Sequence, residues 1–183
     1  MATAFRAPLL DDAEAIRTIT ADGLASGHAS FRQEPHDLSA FRSAFVAPPG
    51  ISRVALCDDA VVGWVGVSPT SARSVYSGVG EISIYVRADQ QGMGVGRALL
   101  EAAIDASESA GFWTLVAQIF PENEASLRLH AQGGFAQVGV RRALGKMPYG
   151  PLSGHWRDVI MLERRSDKVG LNLGPASRSG SCR

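Results

Sequence analysis

Apolar and polar residues repeat with two different periods along this chain, and the periods predict strands interleaved with helices. In residues 79–86 the apolar positions recur at every second residue, which is typical of a strand with two unlike faces. From Val95 to Ala106 they recur at helical spacing, which is typical of the buried side of a helix. A glycine-rich turn separates the two segments. The centre of the chain is therefore predicted to be a strand, a turn and a helix in succession.

Similar patterns predict further elements on both sides of this unit. Asp11 with Glu14 predicts a capping box for the first helix, Asp37 predicts the cap of a short second one, and a fourth helix covers residues 123–132. The predicted strands are residues 5–7, 53–57, 61–67, 79–86, 113–120, 135–144 and 155–162. The second and third strands form a hairpin and the last two strands are consecutive, so both pairs are expected to be antiparallel. This pattern favours a mixed α/β (α+β) sheet over a fully parallel one.

The composition predicts one folded domain with a C-terminal tail. The chain has 183 residues, of which 45% are hydrophobic and 20% charged, so a mostly disordered chain is excluded. Residues 1–166 are predicted to form the domain. Residues 167–183 are rich in Gly, Ser and Arg without an apolar period, and they are predicted to be a flexible tail.

The charge balance argues against extended polyanions as partners. The 18 basic and 18 acidic side chains cancel, so neither nucleic acid nor a membrane surface is expected as a partner. The longest apolar run, residues 60–67, is far shorter than the roughly 18 residues of a spanning helix, and the N-terminus does not resemble a signal peptide. Cys57 and Cys182 are too distant in sequence for a disulfide scaffold or a zinc motif. We expect a cytoplasmic protein without a metal.

The turn before Val95 carries the most informative chemistry. It places Gly92, Gly94 and Gly96 between a strand and a helix. Glycine permits a sharp turn and a close approach of ligand to backbone, and the N–H groups and dipole of the helix attract an anion. The segment therefore predicts a phosphate-binding turn.

Two common phosphate motifs do not fit this turn. A dinucleotide-binding fingerprint would need glycine where Arg97 stands, and no acidic residue ends a second parallel strand about 20 residues on. The segment most similar to a Walker A loop, residues 139–146, has one residue too many and is followed by Met147. The pattern that remains is Gln-x-x-Gly-x-Gly, beginning at Gln91.

This pattern, after a strand reading Glu-Ile-Ser-Ile-Tyr-Val at residues 81–86, resembles the pyrophosphate-binding motif of the GNAT superfamily of acyl-CoA N-acetyltransferases. Other matches resemble the phosphinothricin N-acetyltransferase branch, whose members also acetylate methionine sulfoximine, methionine sulfone and similar amino-acid analogues. These matches are Ser-Phe-Arg-Gln-Glu-Pro at residues 30–35, Ala72 with Arg73, Tyr76, Asn123, Arg-Leu-His at residues 128–130, Gly134 with Phe135, and Trp156-x-Asp158-Val159. The resemblance covers roughly residues 4–164.

The resemblance implies a GNAT fold with a mixed, mostly antiparallel sheet of about seven strands and about four helices, and acetyl-CoA as acetyl donor. The pantetheine arm is expected to pair with the end of the central strand and to contact Asn123, which is also a candidate helix cap. A homodimer with the acceptor site near the subunit contact is likewise implied. The pyrophosphate is expected on the amides of Gly92, Met93, Gly94, Val95, Gly96 and Arg97, and the pantetheine on Ile84, Tyr85 and Val86.

The family chemistry is attack of an amine on a thioester, which needs a base, an oxyanion donor and a proton for the thiolate. Glu81 matches the family's base, acting through water, although a surface carboxylate or an ion-pair partner is the alternative. The Val86 N–H is the expected oxyanion donor. His130 is expected to protonate the thiolate or to accept the amine proton, with a packed helix histidine as the alternative.

An acceptor site for an α-amino acid with an anionic or oxidised side chain is the remaining expectation. Arg73 is the leading anion-binding candidate, ahead of Arg32 and Tyr76, each of which has a solvated or packing alternative. The whole expected acceptor site is Phe31, Arg32, Ser71, Ala72, Arg73, Tyr76, Glu81, Ile82 and Ser83. Two departures from the branch, Ser71 where relatives have lysine and a longer segment at residues 145–156, indicate a less anionic substrate.

The resulting hypothesis is an N-acetyltransferase that moves acetyl from acetyl-CoA to the α-amine of a small amino-acid analogue, by direct attack in a ternary complex. Cysteine-based transfer is not expected, since Cys57 lies on an early strand and Cys182 in the tail. Two alternatives stay open. One is acetylation of a protein N-terminus or a lysine, and the other is an acyl-CoA sensor without catalysis.

Overall fold

The computed structural model describes residues 4–171 and has a seven-stranded sheet at its centre. The strands follow the order β1-β2-β3-β4-β5-β7-β6 across the sheet. They are β1 (Ala4–Arg6), β2 (Ile51–Cys57), β3 (Ala60–Pro69), β4 (Val79–Val86), β5 (Thr114–Ile119), β6 (Ala136–Lys146) and β7 (Trp156–Arg165). The α-helices are α1 (Ala13–Ala25), α2 (Leu38–Phe41), α3 (Val95–Ser109) and α4 (Glu124–Gln132).

Among the described strands, β4 and β5 form the only parallel pair, and every other neighbouring pair is antiparallel. The parallel pairing is short, since it joins residues 79–81 to residues 114–116 and then stops. The prediction of a mixed, mostly antiparallel sheet of about seven strands flanked by about four helices is confirmed.

Helices cover both faces of the sheet. Because side chains alternate along β4, successive residues of this strand pack against helices on opposite faces. Ile82 belongs to the main core, which packs the sheet against α3 through Leu99 and Leu100. Tyr85 points to the opposite face, where it stacks on Trp64 beneath α1 with a ring separation of 5.3 Å. Glu81 shares this second face, because residues two apart on a strand point the same way.

The first helix begins differently from the prediction, because Asp12 rather than Asp11 organises its start. Asp12 accepts hydrogen bonds from Leu9 N (2.6 Å) and Arg6 Nη2 (2.9 Å), and no side chain caps the helix itself. The predicted capping box of Asp11 with Glu14 is therefore wrong. The neighbouring cap of α2 is confirmed, since Asp37 Oδ1 accepts from Ala40 N (2.7 Å).

The end of the described chain packs against the domain. Lys168 Nζ lies 3.0 Å from Glu108 Oε2 at the end of α3, and Arg165 Nη1 donates to Val169 O (2.7 Å). These contacts lie at the start of the segment predicted to be a tail. Most of that segment, residues 172–183, lies outside the described residues, so the division at residue 166 stays a prediction.

Candidate active site

A cleft opens where β4 and β5 separate. Their pairing ends at Glu81, although β4 continues to Val86. Arg87 N donates to Val62 O on β3 (2.9 Å), so odd-numbered residues of this strand bond to β3 and even-numbered residues present their N–H and C=O groups to the gap. The gap and its neighbouring loops enclose about 600 Å³. Beyond the paired residues, the backbone groups that face the gap include those of Ile84 and the N–H of Val86.

The glycine turn follows the end of β4 and has the form of an anion cradle. Gly92 and Gly94 have φ angles of 76° and 86°, and a Cβ at either position would meet no atom within 4 Å. The first backbone hydrogen bond of α3 runs from Ala98 N to Gly94 O (3.1 Å), so the amides of residues 95–97 have no acceptor within the helix. Gln91 Nε2 ties the turn to Val86 O (3.2 Å). Open space beside unpaired amides fits a pyrophosphate.

Glu81 lies where the strands diverge and is hydrogen-bonded across the gap. Gln118 Nε2 on β5 donates to Glu81 Oε1 (3.1 Å), and Arg141 Nη1 on β6 lies 3.5 Å from Gln118 Oε1. Glu81 is half-buried and lines the cleft. An orientated carboxylate with access to the cleft can accept a proton from an amine or from water.

His130 on α4 is buried, with 2% of its surface exposed, and lines the same cleft. Its Nδ1 lies 2.8 Å from Ser126 O, and a carbonyl oxygen only accepts, so Nδ1 carries the proton. Within the described residues Nε2 has no hydrogen-bond partner. Burial lowers the pKa of His130, and the bond to Ser126 offsets part of this effect. The ring is therefore neutral near pH 7 and presents a lone pair at Nε2.

Asn123 connects α4 to the loop that follows α1. Its Oδ1 accepts from Ser126 N (3.2 Å), which caps α4, and its Nδ2 donates to His28 O (3.2 Å). The cap predicted for Asn123 is confirmed. Asn123 also lines the cleft, so the expected contact with pantetheine is compatible with its position and stays a prediction.

The structure gathers one group of predicted site residues around the cleft. Tyr85 contributes to the wall from a partly buried position, where burial raises the pKa of its hydroxyl to about 12. The predicted residues that line the cleft are Glu81, Ile82, Ser83, Ile84, Tyr85, Val86, Asn123 and His130. The glycine turn adjoins this group through Gln91, which also lines the cleft.

The other predicted acceptor residues do not line the cleft. Phe31 packs edge-on against Phe120 with a ring separation of 4.9 Å, as part of a small apolar cluster. Arg32 is exposed. Arg73 lies over the Tyr76 ring, 5.8 Å from its centroid, on an exposed turn with Ser71 and Ala72. Their roles in acceptor binding stay predictions.

Several lining residues were not predicted. His28 comes from the loop after α1, and the sequence contains no signal for its position. Gln118 lies on β5 two residues beyond Val116, the partner of Glu81, and therefore shares its face, but the pairing of β4 with β5 was not predicted from the sequence. The acidic side chains that line the cleft besides Glu81 are Asp22, Glu122 and Glu124.

Two further properties concern the described part of the chain. Residues 4–171 contain no group of three or more His, Cys, Asp or Glu side chains that is placed to hold a metal ion. No helix within this range has both the length and the apolar character required to cross a membrane.

Comparison with known proteins identifies the family. Residues 14–135 match the acetyltransferase (GNAT) family. A phosphinothricin N-acetyltransferase from Alcaligenes faecalis is 35% identical over 158 residues, which are 84% of this chain and 78% of the relative. An L-methionine sulfoximine/L-methionine sulfone acetyltransferase from Pseudomonas paraeruginosa is 30% identical over 180 residues, which are 96% of this chain and 97% of that one.

A solved structure shows the same fold. The phosphinothricin acetyltransferase from Sinorhizobium meliloti, determined in complex with acetyl-CoA, superposes with a TM-score of 0.84 at 24% identity, covering 97% of this chain and 95% of that one. Together with the family match over residues 14–135, the fold and the cleft show that this chain belongs to the GNAT family of acetyltransferases.

Proposed function

We propose that this acetyltransferase transfers an acetyl group from acetyl-CoA to the α-amine of a small amino-acid analogue. The observation that carries this proposal is the cleft between β4 and β5, with the carboxylate of Glu81 in its wall and an anion cradle beyond Val86. Acetyl-CoA supplies the thioester that is attacked and the thiolate that leaves. The protein supplies an anion-binding turn, a strand edge and groups that handle protons.

The donor is held mainly by backbone groups. The pyrophosphate binds the amides of residues 92–97, and the pantetheine pairs with the unpaired edge of β4 like an added strand. Gly92 and Gly94 suit this role because a side chain at either position would require an unfavourable φ angle and would occupy the open face of the turn. A cradle of main-chain dipoles requires little formal positive charge.

The reacting groups follow from the geometry of the cleft. Glu81 accepts the proton of the acceptor ammonium, through water, and Gln118 keeps the carboxylate directed at the gap. The Val86 N–H, which faces the gap, stabilises the oxygen that becomes negative during attack. His130 contributes a lone pair at Nε2, so it accepts a proton or a hydrogen bond. Of its two expected roles, proton acceptance agrees better with this tautomer than donation to the thiolate.

The substrate class rests on the relatives named above, which are called phosphinothricin and methionine sulfoximine or sulfone acetyltransferases. The test supplies acetyl-CoA with L-methionine sulfone, L-methionine sulfoximine or phosphinothricin and follows release of the coenzyme A thiol. The same compounds with a blocked α-amine are the control. We expect thiol release only with the free amines. Absence of release with all three compounds would refute this substrate class.

A homodimer completes the proposal and is supported by the free edge of the sheet. Nine of the eleven residues of β6 are exposed, among them Val138 (61%), and Trp156 at the start of the adjacent β7 is 65% exposed. An exposed strand edge of this length that carries apolar side chains is available for pairing with a second chain. Sedimentation at micromolar concentration should give twice the chain mass for the wild type and a monomer for Val138→Asp. A wild-type monomer would refute the dimer alone.

A further inference from the structure

His28 lines the cleft from the loop between α1 and α2. Its backbone N–H donates to Ser26 Oγ (3.1 Å) and its carbonyl accepts from Asn123 Nδ2 (3.2 Å). Tyr149 Oη donates to Ser30 O (2.8 Å) two residues further along the same loop. The imidazole is half-buried and lines the cleft. The bonds from Asn123 and Tyr149 thus hold this loop beside the space in which an acceptor would bind.

Arg157 on β7 determines which nitrogen of His28 carries the proton. Its Nη2 lies 3.4 Å from His28 Nδ1, and every guanidinium nitrogen is a donor. His28 Nδ1 must therefore present its lone pair to Arg157, and the proton of the neutral ring lies on Nε2. The ring nitrogen that is not engaged by Arg157 is thus a hydrogen-bond donor.

Arg157 cannot readily turn away from this contact. Its side chain is 2% exposed and lies 3.7 Å from the centroid of the Phe120 ring. Nη1 donates to Gly27 O (2.7 Å) and Nη2 to Glu122 Oε2 (2.7 Å). Burial raises the pKa of Glu122, but the hydrogen bond and charge of Arg157, together with a backbone hydrogen bond, lower it overall, so the ion pair persists at neutral pH. The buried Arg157 therefore fixes the tautomer of His28 with its proton on Nε2.

The two histidines of the cleft are consequently opposite in character. His130 has its proton on Nδ1 and a lone pair on Nε2, whereas His28 has its proton on Nε2. Four carboxylates line the described part of the cleft, and two of them are paired with arginines outside the lining, Glu122 with Arg157 and Glu124 with Arg128. The other two are Asp22 and Glu81. An N–H donor in the same cleft as these two carboxylates suits an uncharged oxygen better than an anionic group, because the carboxylates repel a second negative charge.

We infer that His28 Nε2–H donates to an uncharged side-chain oxygen of the acceptor, such as a sulfone or sulfoximine oxygen, with Arg157 as the positioning residue that fixes the tautomer. This inference rests on the proposed function for the identity of the acceptor. It deepens that function by assigning the residue that distinguishes an oxidised side chain from an unoxidised one. It also predicts a preference for methionine sulfone over the anionic phosphinothricin.

The tautomer is tested without any substrate. Long-range proton–nitrogen NMR spectra of ¹⁵N-histidine-labelled protein at pH 8 should show His28 protonated at Nε2 and His130 at Nδ1. Arg157→Met should change the His28 pattern and leave that of His130 unchanged. A wild-type His28 that carries its proton on Nδ1 would overturn the inference, whatever the enzyme acetylates.

Acceptor recognition is tested by comparing kcat/KM for L-methionine sulfone and for L-methionine, which lacks the sulfone oxygens. His28→Ala should lower kcat/KM for the sulfone about tenfold to a hundredfold and change that for methionine less than about threefold. His28→Gln should recover most of the loss, because the glutamine amide N–H reaches the position of Nε2. His155→Ala is the control, since His155 is exposed and does not line the cleft.

The two assays separate failure of this inference from failure of the proposed function. Equal losses for both acceptors in His28→Ala, or no loss for either, would overturn the recognition role while leaving the acetyltransferase intact. Absence of turnover in the wild type with every amine would refute the proposed substrate class and, with it, recognition of the sulfone. The tautomer assignment depends only on the NMR spectra.

Discussion

Gln118 Nε2 donates a 3.1 Å hydrogen bond to Glu81 Oε1, and this bond joins β4 and β5 just beyond the point where their backbones separate. The split strands leave the edge of β4 without a partner, which creates room for a strand-like ligand. The side-chain bond restores one link across the gap on the α1 side of the sheet. Gln118 therefore orients the Glu81 carboxylate at the point where the two strands separate and the cleft opens.

Glu81→Gln should lower kcat by about 10² to 10⁴ while the affinity for acetyl-CoA changes little. Glutamine keeps the size and polarity of the side chain but cannot accept the amine proton. Steady-state kinetics at saturating amine and calorimetric titration of coenzyme A measure the two quantities. Glu163→Gln, an exposed position on β7, is the matched control. Unchanged turnover in Glu81→Gln would exclude the role as base.

Gln118→Ala should lower kcat by about tenfold, because a hydrogen bond to a charged group is lost and Glu81 is no longer held in one direction. The decisive measurement is a double-mutant cycle. In the Glu81→Gln background the second substitution should have almost no further effect on kcat. If the two losses add, Gln118 acts independently of Glu81. Gln132→Ala, at the exposed end of α4 and outside the cleft lining, is the control.

The central unit was predictable from the sequence because its determinants are local. Alternation of apolar and polar residues at positions 79–86 predicts the strand. The turn has positive φ angles at Gly92 and Gly94, which favour glycine at both positions. The position of His28 was not predictable, since it depends on Arg157, which lies 129 residues further along the chain. Similarly, Asp11 and Asp12 are adjacent acids, and only packing of Arg6 against the helix start selects the second.

Gly94→Ala should weaken coenzyme A binding by about fivefold, because alanine in the left-handed region costs about 1 kcal/mol and the turn relaxes away from the binding conformation. Calorimetric titration measures the affinity. Gly139→Ala is the control, since Gly139 also has open space around it and its φ is not in the left-handed region. Equal affinities of Gly94→Ala and the wild type would contradict a backbone cradle at this turn.

Two substitutions of Asn123 distinguish its role as the cap of α4 from its hydrogen bond to His28 O in the loop after α1. Asn123→Ala loses both bonds and should reduce the free energy of unfolding by about 1 kcal/mol. Asn123→Asp keeps the cap but places a carboxylate oxygen against His28 O, so any loss of stability should come from the contact with this loop and not from the cap. Both variants should raise KM for the amine because the loop loosens. Denaturant unfolding and steady-state kinetics measure the effects, and a wild-type KM in Asn123→Asp would show that this bond does not shape the acceptor site.

His130 makes stability depend on pH below about 6.5. Burial lowers the pKa of the folded ring below its ordinary value of 6.5, so between these two values the unfolded chain binds a proton that the folded chain does not. The free energy of unfolding should therefore fall as pH drops from 6.5 toward the folded pKa, by at most about 1.4 kcal/mol per pH unit from this residue. Above 6.5 this contribution is constant.

His130→Gln should remove this contribution to the pH dependence. The substitution also loses the edge-on contact with Phe135, which lowers stability by a similar amount at every pH, so the informative quantity is the slope. His36, whose pKa is likewise lowered by burial, contributes in the same window in both proteins. Denaturant unfolding of the wild type and the variant from pH 8 to pH 5 gives the difference between the slopes. Identical slopes would mean that the fold does not lower the pKa of His130. The inference that its ring is neutral at the cleft would then fail.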